Sequence, residues 1–366
     1  MADAPDNVIE IAVVLQGGGA LGAYECGGVV ALLEMMDGLE AAGRTVVLKS
    51  VAGVSVGAMN AACVVGARDR ADVRRRIESL WDDLTIAAPK FWPSQAQRDL
   101  SLFGLPSFYW PRSDFINVSA WTSYYDTSPL RRTLERHVDF AALNASDTTY
   151  YATAVDVESG GLTTFSNHAR GGRAATTIAP EHVMASGALP PQFPWITING
   201  RHYWDGGIVD NAPLDDAINS FSHGDGITRV LIVMNLYPLR APLPRQMSEV
   251  DDRVHQLTYG NRVRQDSAIA RRFNEFIETV RELAALAPEG AINAELADRV
   301  AWASALTEVN IVDIEMQNQG DSSGQTVPLD GEFGLRDFSM KSVLRRRDAG
   351  YRLARERLAS VFPSAP

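Results

Sequence analysis

The sequence predicts an α/β fold in which helices cover both faces of a parallel or mixed sheet. Short apolar runs rich in β-branched residues alternate with longer segments whose apolar residues recur at helical spacing. Two glycine-rich stretches lie where a predicted strand passes into a predicted helix. The chain has 366 residues, 46% of them apolar and 22% charged, which is enough for one large domain or two.

The first part of the chain shows this alternation most clearly. Ile11–Leu15 is a short apolar run that predicts a buried strand, and a helix is expected from Leu21 to Leu39. Val46–Leu48 is the next predicted strand, and it runs through Ser50–Gly53 into a second helix of small residues. Residues 69–84 carry a single apolar stripe, which predicts a surface helix.

The middle of the chain begins with an irregular segment, residues 85–127, that is rich in proline, serine and aromatic residues. Tyr150–Val155 and Leu162–Phe165 are separated by a turn with two glycines and predict a hairpin. Pro180 is expected to open another helix. Val230–Asn235 is strongly apolar, as strands in the middle of a sheet are.

The last third of the chain is predicted to be mostly helical. A long helical pattern runs through about 247–287, Val309–Val312 predicts a strand, and a basic helix closes the chain from Met340 to Leu358. The arginines of this basic helix form either a solvated face with acid partners such as Asp348 or a contact with anionic lipid head groups. They are Arg345, Arg346, Arg347, Arg352, Arg355 and Arg357.

Composition excludes several classes of protein. With 34 Lys and Arg against 45 Asp and Glu, the net charge of −11 argues against nucleic acid as a partner and against bulk attraction to an anionic membrane. The two cysteines, Cys26 and Cys63, favour a reducing compartment. The start of the chain lacks the pattern of a secretory signal, and the apolar stretch Val51–Ala67 suits a buried turn and helix better than a membrane span. We therefore expect a soluble, cytoplasmic protein without a metal site, since no metal-ligand spacing is present.

Ser55 is the clearest candidate for chemistry, in a GxSxG motif that runs from Gly53 to Gly57. Between a strand and a helix, this motif is typical of a nucleophile elbow, where the serine occupies a strained turn and the glycines leave room for the backbone. The N-terminus of the following helix would direct its positive dipole end toward developing negative charge. A plain tight turn is the alternative, and the strand–helix context favours the nucleophile.

The glycine stretch from Gly17 to Gly19 has two functional interpretations. Together with Gly22 it fits the fingerprint of a dinucleotide-binding loop, which expects an acidic residue after the second strand. The nearest acid, Glu40, precedes that strand instead. As an oxyanion hole, the loop would offer backbone N–H groups to a tetrahedral intermediate. The neighbouring serine motif favours the oxyanion hole, and a turn needed only for packing is the third alternative.

A nucleophilic serine needs a base, and the sequence offers few candidates. Neither His223 nor His255 stands in the turn at a strand end where a catalytic histidine is usually found, so we expect both to be exposed. Asp205 is followed by two glycines, which is often only a turn. It could also place a carboxylate directly against the hydroxyl of Ser55, as the base of a two-residue site.

Taken together, these motifs resemble the patatin-like phospholipase family, and the region after Pro242 resembles extensions of some bacterial members. The resemblance covers about residues 9–217, a little over half of the chain. Four stretches carry it, in the family's order: Leu15–Gly22, Gly53–Gly57, Ala185–Pro191 and Asp205–Pro213.

The resemblance implies a three-layer α/β/α core with a mostly parallel sheet, and hydrolysis of lipid acyl esters without calcium or another cofactor. It implies that Ser55 is the nucleophile, that Asp205 is the base and that Gly17, Gly18 and Gly19 form the oxyanion hole. Many family members carry Arg or Lys at the position of Leu21, so here the backbone amides and the helix dipole are expected to stabilise the oxyanion alone. Further motif residues that support the site are Gly22, Gly53, Gly57, Gly206, Gly207 and Asn211, the last expected to help fix the aspartate loop.

The expected organisation has three parts. A polar tail covers residues 1–8, a catalytic domain covers 9–240, and a mostly helical extension that packs on the core covers 241–366. The catalytic domain contains the aromatic-rich insertion at about 85–127, which would either line an acyl groove and meet a membrane interface or pack down on the core. Its aromatic residues are Phe91, Trp92, Phe103, Phe108, Tyr109, Trp110, Phe115, Trp121, Tyr124 and Tyr125.

We therefore expect a serine acyl hydrolase of the phospholipase A or lysophospholipase type, acting on a lipid or acyl-ester substrate and contacting membranes peripherally. Two alternatives remain at this stage. One is a lipid-binding or regulatory protein with weak chemistry on the same fold. The other is an oxidoreductase that binds a dinucleotide at the glycine loop.

Overall fold

The computed structural model describes residues 8–363, except 87, 90, 93, 170–171, 225, 246, 289–293, 305–307, 318, 321–325 and 328–333. Of the expected polar tail, residues 1–7 lie outside the described residues, and Val8 begins the first strand. Within this described part, the strands are β1 (Val8–Leu15), β2 (Thr45–Gly53), β3 (Trp110–Pro111), β4 (Tyr125–Asp126), β5 (Thr149–Asp156), β6 (Leu162–Ser166), β7 (Ile196–Ile198), β8 (Arg201–Asp205), β9 (Ile227–Asn235), β10 (Asn310–Glu315), β11 (Gln319–Gly320) and β12 (Thr326–Val327). The α-helices described are α1 (Ala23–Ala41), α2 (Val56–Val65), α3 (Arg70–Asp83), α4 (Ser94–Asp99), α5 (Ser128–His137), α6 (Phe140–Ala145), α7 (Pro180–Ser186), α8 (Leu214–Ile218), α9 (Met247–Leu286), α10 (Ala294–Ser304) and α11 (Met340–Val361).

One mixed, mostly parallel sheet forms the centre of the protein. Its strand order is β10-β9-β1-β2-β5-β8-β7, and β6 pairs with β5 beside this path. The strands from β10 to β5 run parallel to one another. The predicted hairpin is present as β5 and β6, and β7 and β8 also pair antiparallel. The alternation of segments in the sequence therefore predicted the class of sheet correctly.

Helices cover both faces of this sheet, because successive residues of each strand point to opposite sides. Ile11 and Val13 of β1 belong to the larger apolar core, which includes α1, α2, α3 and α11. Ala12 and Val14 belong to a smaller core with residues of α8 and α9. The predicted three-layer α/β/α arrangement is therefore confirmed.

The C-terminal region contributes to this same architecture. Strand β10 pairs with β9 in parallel and extends the sheet. Helix α11 crosses α1 at two glycines: a Cβ atom on Gly27 would lie 1.9 Å from the carbonyl oxygen of Arg347, and one on Gly350 would lie 1.9 Å from that of Tyr24. The region is mostly helical, as predicted, while a domain boundary at residue 240 stays a prediction.

Arg346 corrects one expectation for the basic helix. The sequence predicted a solvated or lipid-facing position for all arginines of this helix. Arg352 is exposed, in agreement with that prediction. The Arg346 side chain is fully buried and donates hydrogen bonds to the backbone carbonyls of Ala20, Gly334 and Asp337, at 3.3, 3.1 and 2.7 Å. The surface prediction for Arg346 was wrong because the packing of α11 on α1 turns one arginine of the helix inward.

The apolar stretch considered as a membrane span is part of the core. Val51–Ala67 forms the end of β2 and helix α2, whose residues are buried. Among the described residues, Gly19–Ala41 is the helical stretch that meets the length and apolarity of a membrane span, and 89% of its most apolar window is buried inside the protein.

We predict that Gly350→Ala lowers the free energy of unfolding by about 1–3 kcal/mol, because the added methyl group would collide with the backbone of Tyr24 and force α1 and α11 apart. Chemical denaturation measures this loss. Gly161→Ala is the control, since its Cβ atom would meet only the hydroxyl of Ser159, at 3.3 Å. An equal effect of the two substitutions would contradict the close helix crossing.

Candidate active site

Three loops meet at one edge of the sheet. The parallel strands β1 and β2 end side by side, with Leu15 opposite Gly53. The glycine loop follows the first strand and Ser55 follows the second. Strand β8 ends at Asp205, which pairs with Ala154 of β5. These loops line a cavity of about 430 Å³ that contains Gly17, Gly18, Gly19, Ser55 and Asp205.

Ser55 lies in the strained turn that its motif predicts. Its φ of 56° and ψ of −124° fall in a region that residues other than glycine rarely occupy. The two flanking glycines allow close backbone packing: a Cβ atom on Gly53 would lie 2.3 Å from the backbone of Gly57, and one on Gly57 would lie 2.3 Å from the carbonyl oxygen of Leu15. The hydroxyl of Ser186 accepts a hydrogen bond from the Ser55 amide, at 3.0 Å. The turn is therefore held from both sides.

Asp205 is a buried carboxylate beside this serine. Burial raises the pKa of Asp205 to about 7, while hydrogen bonds from the Gly207 amide and the Ser55 hydroxyl lower it. The Gly207 amide donates to the Oδ1 atom of Asp205 at 2.8 Å. Gly206 lies so close to Thr153 that a Cβ atom would be 2.5 Å from its carbonyl oxygen. The two glycines thus let the aspartate loop turn tightly against β5 and leave the carboxylate facing Ser55.

The glycine loop is fixed through the carbonyl of Gly17. The Nδ2 atom of Asn211 and the hydroxyl of Tyr237 both donate hydrogen bonds to this carbonyl, each at 3.0 Å. In a trans peptide the C=O and the following N–H point in opposite directions, so the Gly18 N–H is turned away from Asn211 and Tyr237. Asn211 therefore links the aspartate loop to the glycine loop.

The remaining motif glycines allow close contacts around the site. A Cβ atom on Gly17 would lie 2.4 Å from Oδ1 of Asn211 and 3.2 Å from Cβ of Ser55. Gly19 has a φ of +52° and lies against the carbonyl of Leu335, which a Cβ atom would approach to 2.4 Å. Gly22 packs on α2, where a Cβ atom would meet the side chain of Val56 at 2.6 Å.

Three residues that position the site were not singled out in the sequence. Ser186 lies in the Ala185–Pro191 stretch, which the resemblance included. Gln16 lies in the glycine motif, and its side-chain amide accepts from the Leu236 amide at 2.8 Å and donates to the Tyr259 carbonyl at 3.2 Å. Tyr237 follows β9 and belongs to no motif, so only the three-dimensional structure identifies it.

The structure also changes the expectation attached to Leu21. The Leu21 side chain is buried in the core, so this position supplies no positive charge to the site. The guanidinium of Arg346 lies against the carbonyl of Ala20 instead, one residue after the glycine loop. A permanent positive charge is therefore close to the glycine loop, although it comes from the opposite end of the chain.

The two histidines differ in their surroundings. His223 is exposed, as expected, and lines a different cavity beside α8 and α9. His255 was also expected to be exposed, but it is partly buried in the wall of the Ser55 cavity and stacks on Tyr259 with ring centroids 6.0 Å apart. The sequence could not show this because α9 comes to the site from a distant part of the chain.

The aromatic segment divides between the cavity and the surface. Phe108 and Tyr109 are buried, line the cavity and pack against Phe193 with ring centroids 5.3 and 5.4 Å apart. Phe91 and Phe103 are 85% and 73% exposed. Tyr124 and Tyr125 also line the cavity, whereas Trp92 and Trp110 are exposed. The ring centroid of Trp121 lies 5.4 Å from the guanidinium of Arg112. The side chain of Phe115 is outside the described residues.

The surroundings of the glycine loop do not match those of a dinucleotide site. Glu40, the nearest acidic residue in the sequence, lies at the end of α1 and forms an ion pair with Arg70 on the surface. The loop faces Ser55 across the cavity. Within the described part of the chain, no group of three or more His, Cys, Asp or Glu side chains is placed to hold a metal ion.

Comparison with known proteins supports a hydrolase of lipids. The family model described as patatin-like phospholipase matches residues 13–218. No curated protein matches the sequence. Two solved structures show a distant likeness: VipD from Legionella pneumophila (14% identity, 98% of this chain, 67% of that chain, TM-score 0.38) and a chain of the SpcU–ExoU complex from the type III secretion system of Pseudomonas aeruginosa (14%, 98%, 79%, 0.30).

The family match covers more than half of the chain and contains all four motifs, from the glycine loop to the aspartate loop. It also agrees with the mixed, mostly parallel sheet and with its two helical layers. The chain belongs to the patatin-like phospholipase family.

Proposed function

We propose that the protein is a serine acyl hydrolase that cleaves fatty-acyl esters of lipids, of the phospholipase A or lysophospholipase type, through Ser55 and Asp205. The observation that carries this proposal is the strained Ser55 beside a buried carboxylate and a glycine loop in one cavity. A serine of this kind needs a base and a site for negative charge, and both stand next to it.

In the first half of the reaction, Asp205 takes the proton of the Ser55 hydroxyl as the Oγ atom attacks the ester carbonyl carbon. The carbonyl oxygen becomes an oxyanion, which accepts hydrogen bonds from the amides of the Gly17–Gly19 loop. Each such donor contributes roughly 2.7–4 kcal/mol to lowering the barrier. Asp205 then gives the proton to the departing alcohol, and the acyl group remains on Ser55.

In the second half, Asp205 accepts a proton from water, which attacks the acyl-enzyme at the same carbon. The oxyanion forms again at the glycine loop, and its collapse breaks the bond to Ser55. The proton returns from Asp205 to the serine oxygen, and the fatty acid leaves. A carboxylate with a pKa of about 7 suits both transfers, because it exchanges protons readily near neutral pH.

The exposed part of the aromatic segment supports a peripheral contact with lipid surfaces. Phe91, Phe103 and Trp110 expose their rings, while Phe108 and Tyr109 in the same segment line the cavity. Aromatic side chains are favoured at membrane interfaces, and here they would connect the surface of a lipid aggregate to the site. We propose a cytoplasmic enzyme that associates with membranes in this way.

A lipid-binding protein with weak chemistry remains the second candidate, because Leu21 replaces the cation of many family members. The two candidates differ in whether Ser55 reacts. The oxidoreductase alternative predicts a flavin or nicotinamide absorbance in the purified protein, and none is expected here.

We predict that a fluorophosphonate probe labels the wild-type protein and that Ser55→Ala abolishes both the labelling and the hydrolysis of acyl esters. Gel fluorescence and fatty-acid release measure the two effects. Ser360→Ala, which removes an exposed hydroxyl of α11, is the control and should keep both. Labelling that persists without Ser55 would refute the assignment of the nucleophile.

We predict that the rate of hydrolysis rises with pH around a midpoint near 7, because Asp205 must be ionised to act as a base. Asp205→Asn should reduce the rate by about 10²–10⁴-fold and remove this midpoint. A pH–rate profile with a soluble ester measures both. A profile with the same midpoint in the Asn variant would assign the titration to another group.

The same pKa predicts a pH-dependent effect on stability. The folded-state pKa of Asp205, about 7, lies above its ordinary value of 3.8, so the folded protein binds the proton more strongly and loses stability as the pH rises between these values. Asp205→Asn should therefore raise the melting temperature more at pH 8 than at pH 4. Equal changes at the two pH values would argue against a buried carboxylate of raised pKa.

For the aromatic segment, we predict that the double substitution Phe91→Ser and Phe103→Ser lowers hydrolysis of phospholipid vesicles about tenfold or more, since it removes apolar surface that would enter the interface. Hydrolysis of a short soluble ester should not change. Phe273→Ser, on α9, is the control because this ring is also exposed but lies outside the aromatic segment. Equal losses with vesicles and with the soluble ester would contradict the membrane contact.

A further inference from the structure

The C-terminal region supplies part of the wall of the catalytic cavity. The turn Gly334–Arg336 and the following Phe338 lie outside the segment matched by the family model. Leu335, Arg336 and Phe338 nevertheless line the same cavity as Ser55. This turn therefore brings a cationic side chain to a site whose other parts come from residues 17–237 and α9.

The backbone before Arg336 is held firmly in place. The carbonyl of Leu335 packs on Gly19, where a Cβ atom would come within 2.4 Å. The buried Arg346 side chain donates to the carbonyls of Gly334 and Asp337, on the two sides of Arg336, at 3.1 and 2.7 Å. These hydrogen bonds fix the turn against the glycine loop, since Arg346 also binds Ala20.

The backbone after Arg336 is equally fixed. The carbonyl of Phe338 accepts a hydrogen bond from the amide of Ile86 at 2.9 Å. The ring of Phe338 packs against those of Trp81 and Phe108, with centroids 6.4 and 6.1 Å away. The position of the Arg336 backbone is thus set by contacts on both sides.

The guanidinium of Arg336 is available to a ligand. In the part of the chain that the structure describes, it makes no ion pair or hydrogen bond, and the residue is exposed at the cavity wall. The ionisable groups that line the cavity with it are those of Asp205, His255 and tyrosines, and Asp205 is buried beside Ser55. Burial raises the pKa of the wall residue Tyr109, and the nearby positive charge of Arg336 opposes this rise.

We propose that Arg336 binds the phosphate group of the substrate and thereby determines specificity for phospholipid or lysophospholipid esters over neutral glycerides. A guanidinium can bind a phosphate through two parallel hydrogen bonds, whereas a neutral glyceride would leave it solvated and without an ionic partner. The chain carries a net charge of −11, so attraction of the anion to this cavity has to come from a local cation such as Arg336. Arg336 contributes to substrate binding and not to the chemical step. This inference rests on the proposed function, which supplies the lipid ester as the substrate.

Binding of ether-linked lipids tests this inference, because these ligands cannot be hydrolysed. The probes are a twelve-carbon alkylglycerol phosphate and the matching uncharged alkylglycerol, both below their critical micelle concentrations, measured by calorimetry on the full-length protein. Arg336→Gln should weaken binding of the phosphate probe about tenfold or more and leave binding of the uncharged probe unchanged. Arg336→Lys should recover part of the loss, since it keeps the charge but not the planar fork.

Arg352→Gln is the matched control, because it removes the same charge from an exposed position of α11. The proposal is overturned if Arg352→Gln and Arg336→Gln weaken binding of the phosphate probe equally, or if Arg336→Gln affects both probes alike. Dodecanoate tests a different anionic ligand, the carboxylate of the released fatty acid. A loss for dodecanoate as large as that for the phosphate probe would assign Arg336 to the product and would also overturn the proposal.

The same variants keep this inference separate from the proposed hydrolase function. Fluorophosphonate labelling of Ser55 reports the nucleophile, and the control variant Arg352→Gln should label like the wild type because Arg352 is exposed on α11. A protein that is never labelled would refute the hydrolase proposal, while the two ether lipids would still decide the role of Arg336.

Discussion

The contact between the end of β1 and the turn after β2 is the constraint on which the site depends. The amide of Val54 donates to the carbonyl of Leu15 at 3.2 Å, and Gly57 packs on the same carbonyl without space for a side chain. Because the two strands are parallel and Leu15 stands opposite Gly53, this contact places the glycine loop directly beside the serine turn. The strain at Ser55 is tolerated because the neighbouring backbone leaves no room for another path.

The second constraint is the burial of Asp205. Taking a carboxylate out of water is unfavourable unless it is hydrogen-bonded, and here the Gly207 amide and the Ser55 hydroxyl compensate only part of the loss, so the pKa rises to about 7. A more polar pocket would stabilise the fold but would give a carboxylate too weakly basic to accept a proton from serine. The proposed function therefore explains why the protein keeps an arrangement that reduces its stability at neutral pH.

The sequence predicted those parts of the site that depend on contacts between neighbours in the chain. Glycines around Ser55 and after Asp205 are visible as motifs because they adjoin these residues in the chain, although Gly57 and Gly206 also pack on the distant Leu15 and Thr153. Tyr237, His255 and Arg346 could not be recognised, since their roles come from β9, α9 and α11 packing beside the glycine loop over long sequence separations. A helical pattern shows which residues share a face but does not show that a neighbouring helix will bury an arginine such as Arg346.

The same long-range contacts mean that the site is larger than the segment that defines the family. Residues 13–218 contain Ser55, Asp205 and the glycine loop, to which the proposed function assigns the chemistry. The hydroxyl of Tyr237 that holds Gly17, and the Leu335 carbonyl that packs on Gly19, come from beyond residue 218. Substitutions in this later region can alter the cavity wall without touching the reacting groups. The cavity wall therefore combines residues inside the family segment, such as Phe108 and Tyr109, with residues beyond it, such as Tyr259 and Phe338.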